Sequence, residues 1–263
     1  MNAGLPHASE MLASTAQVPP VPKCASPRPL PRRFILTIDG PAGTGKTTVA
    51  RALARRLGLA FLDTGSMYRA AALLALEHQV TLDQHDRIAE IIQRADLQFD
   101  WSFDPPRLLT RSSQGWRDLT GCLRAPEIER LVSPLASVPA LRHRLVHAQR
   151  VIGANHPHLV TEGRDQGSVV FQDAELKFYL WASPQERARR RACQLRAQGH
   201  FADEHMIEAE MQARDHSDRT RAVGPLVRPT GSIELNTSFM CQETVISTME
   251  RIAHQRIDAL AQP

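Results

Sequence analysis

The sequence predicts an α/β fold, a doubly wound parallel sheet with helices on both faces, on three observations. A short apolar run rich in β-formers, residues 34–38 (FILTI), leads through a glycine-rich loop into a segment with apolar residues at helical spacing. That strand-to-helix alternation recurs down the chain, as in a parallel sheet covered on both sides. It is interrupted at 97–124, where LQFDWSF, a Pro-Pro turn, RLLTR and GWRDL read as short antiparallel strands of an inserted β-rich segment.

Each element has its own signal. The run at 34–38 is bounded by the loop glycines and reads as a buried strand. Residues 47–57 (TTVARALARRL) follow as a helix that Gly58 ends. A second short strand covers 59–62. Helical patterns follow at 65–79 and 87–95. After the β-rich segment, 125–154 returns to helix, expected to break at Pro134 and Pro139. Strands are expected at 158–161 and 177–180 (KFYL), a strongly basic helix at 184–198, and further helices at 201–214 and 243–260. Residues 1–33 differ in kind. They are proline-rich, lack apolar periodicity, and are expected to be a disordered extension ahead of one domain at 34–263.

Composition narrows the class. With 263 residues, 42% of them apolar, the chain suits one packed domain with small insertions. No apolar run approaches the ~20 residues of a membrane span, and no apolar stretch near the start suggests a secretory leader. Cys24, Cys122, Cys193 and Cys241 are scattered, without a zinc or disulfide pattern, so a cytoplasmic protein is expected. The net charge is +4, and of 32 basic residues only Lys23, Lys46 and Lys177 are lysines. Arginine forks grip phosphate oxygens in pairs. Arginine-rich codon usage explains the total better, so only arginines inside motifs are counted.

The stretch Ile38 to Thr48, IDGPAGTGKTT, carries the first chemistry. Gly40, Pro41, Ala42, Gly43, Thr44, Gly45, Lys46 and Thr47 fit the pattern G-x-x-x-x-G-K-[ST] at every fixed position, with Thr48 following. Such a loop turns successive backbone N–H groups toward a polyphosphate, and glycine makes the path sterically possible. The next helix adds its positive end. Lys46 is placed to reach the β- and γ-phosphates and the Thr47 hydroxyl to bind Mg²⁺. ATP and Mg²⁺ are therefore expected. Asp39 either reaches a metal through water or holds loop amides, the structural role being preferred.

Three further clusters address what receives the phosphate. Asp63-Thr-Gly-Ser-Met-Tyr-Arg69 follows a strand and opens a helix, at the carboxyl edge of the sheet where ligands bind in such folds. Thr64 is the expected helix cap. Glu162-Gly-Arg-Asp-Gln-Gly167 also ends a strand. Arg214-Asp-His-Ser-Asp-Arg-Thr-Arg221 spaces Arg214, Asp218 and Arg221 by about one helical turn. Taken singly, each cluster is also compatible with a solvated loop or helix end.

Together IDGPAGTGKTT, LDTGSMYR, EGRDQGSVVF and RDHSDRTRAVGPL resemble the bacterial cytidylate kinases, in order and spacing, over roughly residues 34–255. The resemblance implies a P-loop kinase with an inserted monophosphate-binding subdomain at 97–145 and a short lid at 186–200. It implies transfer of the ATP γ-phosphoryl to CMP or dCMP, in pyrimidine nucleotide metabolism. Arg69, Arg164 and Arg221 then correspond to the clamp on the acceptor phosphate and, with Lys46, to the catalytic set. Thr64 is counted with that clamp among the substrate-binding residues. Ser133, Arg142 and Asp165 correspond to the cytosine-reading set, and Arg214 and Asp218 to the sugar contacts. Arg187, Arg189, Arg190 and Arg191 lie in the lid. A monomer is expected. The chain departs from the family pattern at Glu162, where an aspartate is usual, at Ser168, at Asn236, and in a longer loop at 155–158.

Other readings make different demands. A kinase of UMP or AMP would not need Asp165 and Arg142. A nucleotide switch needs a water-positioning residue, and none stands out. A nucleic-acid-stimulated ATPase would interleave aromatics with basic residues, yet aromatics are 5% of the chain and no arginine run holds a stacking pair. Nucleic acid is therefore not an expected partner. Intact Lys46 and Thr47 speak against a nucleotide binder without turnover.

Overall fold

The computed structural model describes residues 29–262. Strand β1 (Phe34–Asp39) is buried at all six positions, as a central strand covered on both faces must be. It lies in a five-stranded sheet of order β2 (Ala60–Asp63), β6 (His158–Gly163), β1, β7 (Leu176–Trp181), β8 (Ile233–Asn236), and every pairing is parallel. Alternation along β1 sends its side chains to two cores. Phe34, Leu36 and Ile38 pack with α1 (Lys46–Leu57) and α8 (Gln242–Ala261). Ile35 faces α2 (Thr64–Glu77), α3 (His85–Arg94), α4 (Pro126–Leu135) and α5 (Pro139–Asn155). The doubly wound expectation is met. Gly58 stops α1 in the left-handed conformation, φ 67°.

The three expected antiparallel strands are β3 (Gln98–Asp100), β4 (Arg107–Ser112) and β5 (Gly115–Asp118). Their small sheet packs through Leu108, Leu119 and Leu123 on Ala70 of α2. Arg51 of α1 holds Asp104 in the loop before β4 at 3.0 Å. Helices α4 and α5 share the core of Ile35 and Leu159.

Several expectations need correction. Pro134 lies within the last turn of α4, and the chain breaks instead at 136–138, after which Pro139 opens α5 with its fixed φ. Strand β8 was not anticipated, because its residues IELN, largely exposed at the sheet edge, carry no apolar run. The helix expected at 201–214 is α7 (Glu204–Thr220), capped by Asp203, which accepts from His205 N and Met206 N. It continues through the Asp-His-Ser-Asp stretch, whose weak propensity is overridden by its setting. It pairs with α6 (Pro184–Ala197) over a small core of Ala188, Ala192, Ala202 and Ile207. Of the expected disordered extension, residues 1–28 lie outside the described residues. Leu30 packs on the β1–α1 core, and Arg33 pairs with Glu175 at 2.8 Å.

Candidate active site

Sheet register assembles the site. Asp39 is level with Gly163, and Asp63 with Glu162, so the loops after β1, β2 and β6 leave the carboxyl edge side by side. They open into one cavity of about 390 Å³, which α4, α6 and α7 also wall.

The glycine loop forms one side. Gly40 has φ 149°, and a Cβ there would overlap the Leu180 carbonyl oxygen, so only glycine fits. Ala42, Gly43, Gly45, Lys46, Thr47 and Thr48 line the cavity. Gly40, Pro41 and Thr44 shape the loop from behind, with Thr44 Oγ1 donating to the Pro41 carbonyl at 3.2 Å. The buried Lys46 Nζ donates to the same carbonyl at 2.7 Å. Burial, reinforced by the Arg164 charge, pushes the Lys46 ammonium down to about 7. Thr47 Oγ1 donates to Glu162 Oε1 at 2.8 Å.

The opposite side is a cluster of guanidinium groups. Arg69 Nε pairs with Glu129 at 2.7 Å and its Nη1 lies 3.7 Å from Asp63. Arg164 Nε donates to Asp218 Oδ2 at 2.9 Å. Arg221 Nη1 reaches Asp218 Oδ1 at 3.4 Å, and Arg214 Nη1 lies 3.9 Å from Glu129. All four arginines line the cavity. Asp218 and Glu129 pair with them, Asp63 stands beside Arg69, and the Gly163 and Gly224 carbonyls accept from Arg164 and Arg221. Burial holds Arg214 and Arg221 below the ordinary arginine range, with neighbouring guanidinium charges adding to it. Arg214 Nε and Arg221 Nη2 are buried donors without a partner among the described residues. Unpaired buried donors are costly, and these sit where an anion would satisfy them.

Deeper in, Ser133 and Asp165 line the cavity. Arg142 lies one layer behind, its side chain 1% exposed, with Nη2 paired to Asp165 Oδ2 and Nη1 donating to the Ala136 carbonyl at 3.2 Å. Gly224, at φ 59°, presses on this pair, and a Cβ would overlap both partners. Asp39 takes a structural role, on the turn after β6 instead of the amides of the glycine loop. Its two oxygens accept Gln166 N at 2.8 Å and Gly167 N at 2.7 Å, anchoring the turn that carries Asp165. Burial raises its carboxyl to about 7 against the pull of those amides.

The sequence expectations resolve unevenly. The cap of α2 is Asp63, which accepts from Ser66 N, and not Thr64. Both residue types cap well, and Thr64 is drawn off because its hydroxyl donates to the Glu162 carbonyl at 2.7 Å. Of the four arginines expected in a lid, Arg190 and Arg191 line the cavity. Arg187 is buried against Asp215 and Arg189 lies outside on Glu186. Asn236 Oδ1 accepts Ser238 N at 3.0 Å, so that departure makes a local turn. Glu129 and Tyr68 also line the cavity. Tyr68 stands inside the LDTGSMYR cluster and could have been singled out. Glu129, in an ordinary helical stretch, gives no local signal.

Comparison with known proteins agrees with this geometry. Residues 36–255 match the family described as Cytidylate kinase. A Cytidylate kinase of Pelotomaculum thermopropionicum is 42% identical over 213 residues, covering 80% of this chain and 92% of that protein. A Cytidylate kinase of Edwardsiella ictaluri is 37% identical, covering 84% and 96%. A Bifunctional pantoate ligase/cytidylate kinase of Synechococcus sp. (strain JA-3-3Ab) is 40% identical over 92% of this chain, which spans only 43% of that relative's length.

Proposed function

We propose that this chain, which belongs to the cytidylate kinase family, transfers the γ-phosphoryl group of ATP to CMP or dCMP, giving CDP or dCDP and ADP. One observation carries the reading: Arg69, Arg164, Arg214 and Arg221 line the same cavity as the glycine loop, two of them with buried unpartnered donors. Two anion-binding walls facing one space suit two phosphorylated substrates placed end to end.

ATP lies along 40–48, with Lys46 on its outer phosphates. Arg69, Arg164 and Arg221 hold the acceptor phosphate, one of whose oxygens attacks the γ-phosphorus as the bond to ADP breaks. Positioning and charge stabilisation then supply most of the catalysis. Arg190 and Arg191 on α6 add cationic charge and cover the reacting groups from water. Arg214 and Asp218 contact the sugar. Asp165, held by Arg142, accepts from the cytosine amine, and Ser133 completes the base pocket. Uracil presents a carbonyl at that position and would leave Asp165 facing an acceptor.

A divalent cation fits the donors present. The Thr47 hydroxyl and the carboxylates of Glu162 and Asp63 are hard oxygen ligands of the kind Mg²⁺ takes beside substrate phosphates. Burial and the Glu162 charge push the Asp63 carboxyl up, so a cation between them is favoured. When bound, Mg²⁺ would neutralise phosphate charge.

The chain is further read as a cytoplasmic monomer acting in pyrimidine nucleotide metabolism, with the 97–145 segment as the monophosphate-binding part and 186–200 as the lid. Exposed free thiols at Cys122, Cys193 and Cys241 suit a reducing compartment. No helix among the described residues is long and apolar enough to cross a membrane. A panel of CMP, dCMP, UMP and AMP in a coupled ADP-release assay tests the reading. CMP and dCMP should lead, and higher kcat/KM for UMP or AMP would overturn the base assignment.

A further inference from the structure

Arg187 on α6 and Asp215 on α7 stand outside the cavity, yet both are almost wholly buried, at 4% and 3% exposure. Arg187 Nη1 meets Asp215 Oδ2 at 2.6 Å. A buried ion pair is a poor way merely to hold two helices together, because desolvation offsets the attraction and apolar side chains do as well. The remaining hydrogen bonds of this pair give it another role. Asp215 Oδ1 accepts the Ala42 N–H at 3.2 Å, and Arg187 Nη1 donates to the Ala42 carbonyl at 3.0 Å. One residue of the phosphate loop is thus held by both its backbone groups, from two helices at once. Apolar replacements could satisfy neither group. Met211, one turn before Asp215, closes on the next loop residue, and a Cβ on Gly43 would come within 2.9 Å of its Cε.

Arg190 and Arg191, which line the cavity, follow Arg187 on the same helix one turn later. We infer that Arg187 and Asp215 are positioning residues that set the shape of the phosphate loop and couple it to the α6–α7 hairpin, so that triphosphate binding and the placement of Arg190 and Arg191 depend on one another. The inference rests on the proposed reading only in taking the loop as the ATP site, and is independent of the acceptor.

Binding of ATP alone and of CMP alone, measured by titration calorimetry alongside thermal unfolding, tests this. Asp215→Ala should weaken ATP by about ten- to a hundredfold, the cost of one lost hydrogen bond to a charged group. CMP, bound at a distance, should stay within about twofold. Equal weakening of both ligands, or an unchanged ATP affinity, would overturn the inference. If that variant fails to fold, Asp215→Asn keeps the shape and an acceptor for Ala42 and should weaken ATP several-fold, with unchanged affinity again overturning it. The double exchange Arg187→Asp with Asp215→Arg can keep the ion pair but not the two Ala42 contacts. It should unfold near the wild-type temperature and still bind ATP weakly, whereas restored ATP affinity would reduce the pair to a bolt between helices. A wild-type protein that ignores CMP would remove the acceptor reading and leave the ATP comparison valid.

Discussion

The Thr47 hydroxyl and Glu162 Oε1 lie 2.8 Å apart, joining the start of α1 to the end of β6 at the floor of the cavity. The resemblance leads one to expect aspartate at this position, and the Glu162 carboxylate present instead accepts from Thr47. Glu162→Gln removes the charge but keeps the shape, and is expected to lower kcat by about ten- to a hundredfold. Glu162→Asp keeps the charge and should retain transfer, while losing the Thr47 bond at about 1 kcal/mol of stability. Steady-state kinetics and thermal unfolding check both, and full activity of Glu162→Gln would contradict the role.

Among the described residues, Lys46 Nζ donates only to the Pro41 carbonyl of its own loop, so its removal leaves the core untouched. Lys46→Ala is expected to abolish nearly all transfer with an unchanged circular dichroism spectrum. Normal turnover in that variant would refute the placement of the triphosphate.

The Arg142–Asp165 pair is buried, and Gly224 packs directly on it. Asp165→Asn presents an amide where the carboxylate was. The preference for CMP over UMP, as a ratio of kcat/KM, should shrink by about 1–3 kcal/mol. An unchanged ratio would take Asp165 out of the base pocket.

Asp39 carries a pH signature. Its folded carboxyl is raised to about 7 by burial, from an ordinary value of 3.8. Between these values the folded state holds a proton that the unfolded chain has lost, so this group's contribution to stability falls as pH rises from about 4 to about 7. Asp39→Asn, which puts an amide against two N–H donors, should be less stable at every pH. Its deficit should be largest near pH 4 and shrink toward pH 7. Urea unfolding across that range checks the sign, and a deficit that grows with pH would refute it.

Much of the frame was legible because its signals are local. The FILTI run, the glycine loop, the Gly58 stop and the polar clusters at strand ends are each written in a dozen residues or fewer, where steric limits and apolar periodicity act directly. Strand β8 was missed because an exposed edge strand needs no apolar run. The length of α7 was missed because packing overrode weak helix propensity. Which arginines of α6 face the cavity was hidden, since four neighbouring arginines share one composition and only the packing of α6 tells them apart.

By itself, then, the sequence determined the parallel sheet, the glycine loop and the charged clusters at the strand ends, since backbone sterics and burial act on neighbours in the chain. Tertiary structure alone decided the pairings: Asp63 rather than Thr64 as cap, Glu162 on Thr47 across 115 positions, and Arg187 turned away from the cavity to hold Ala42 across 145. A side chain with several possible partners takes the one that burial and charge leave within reach, and that choice exists only once the distant elements have met.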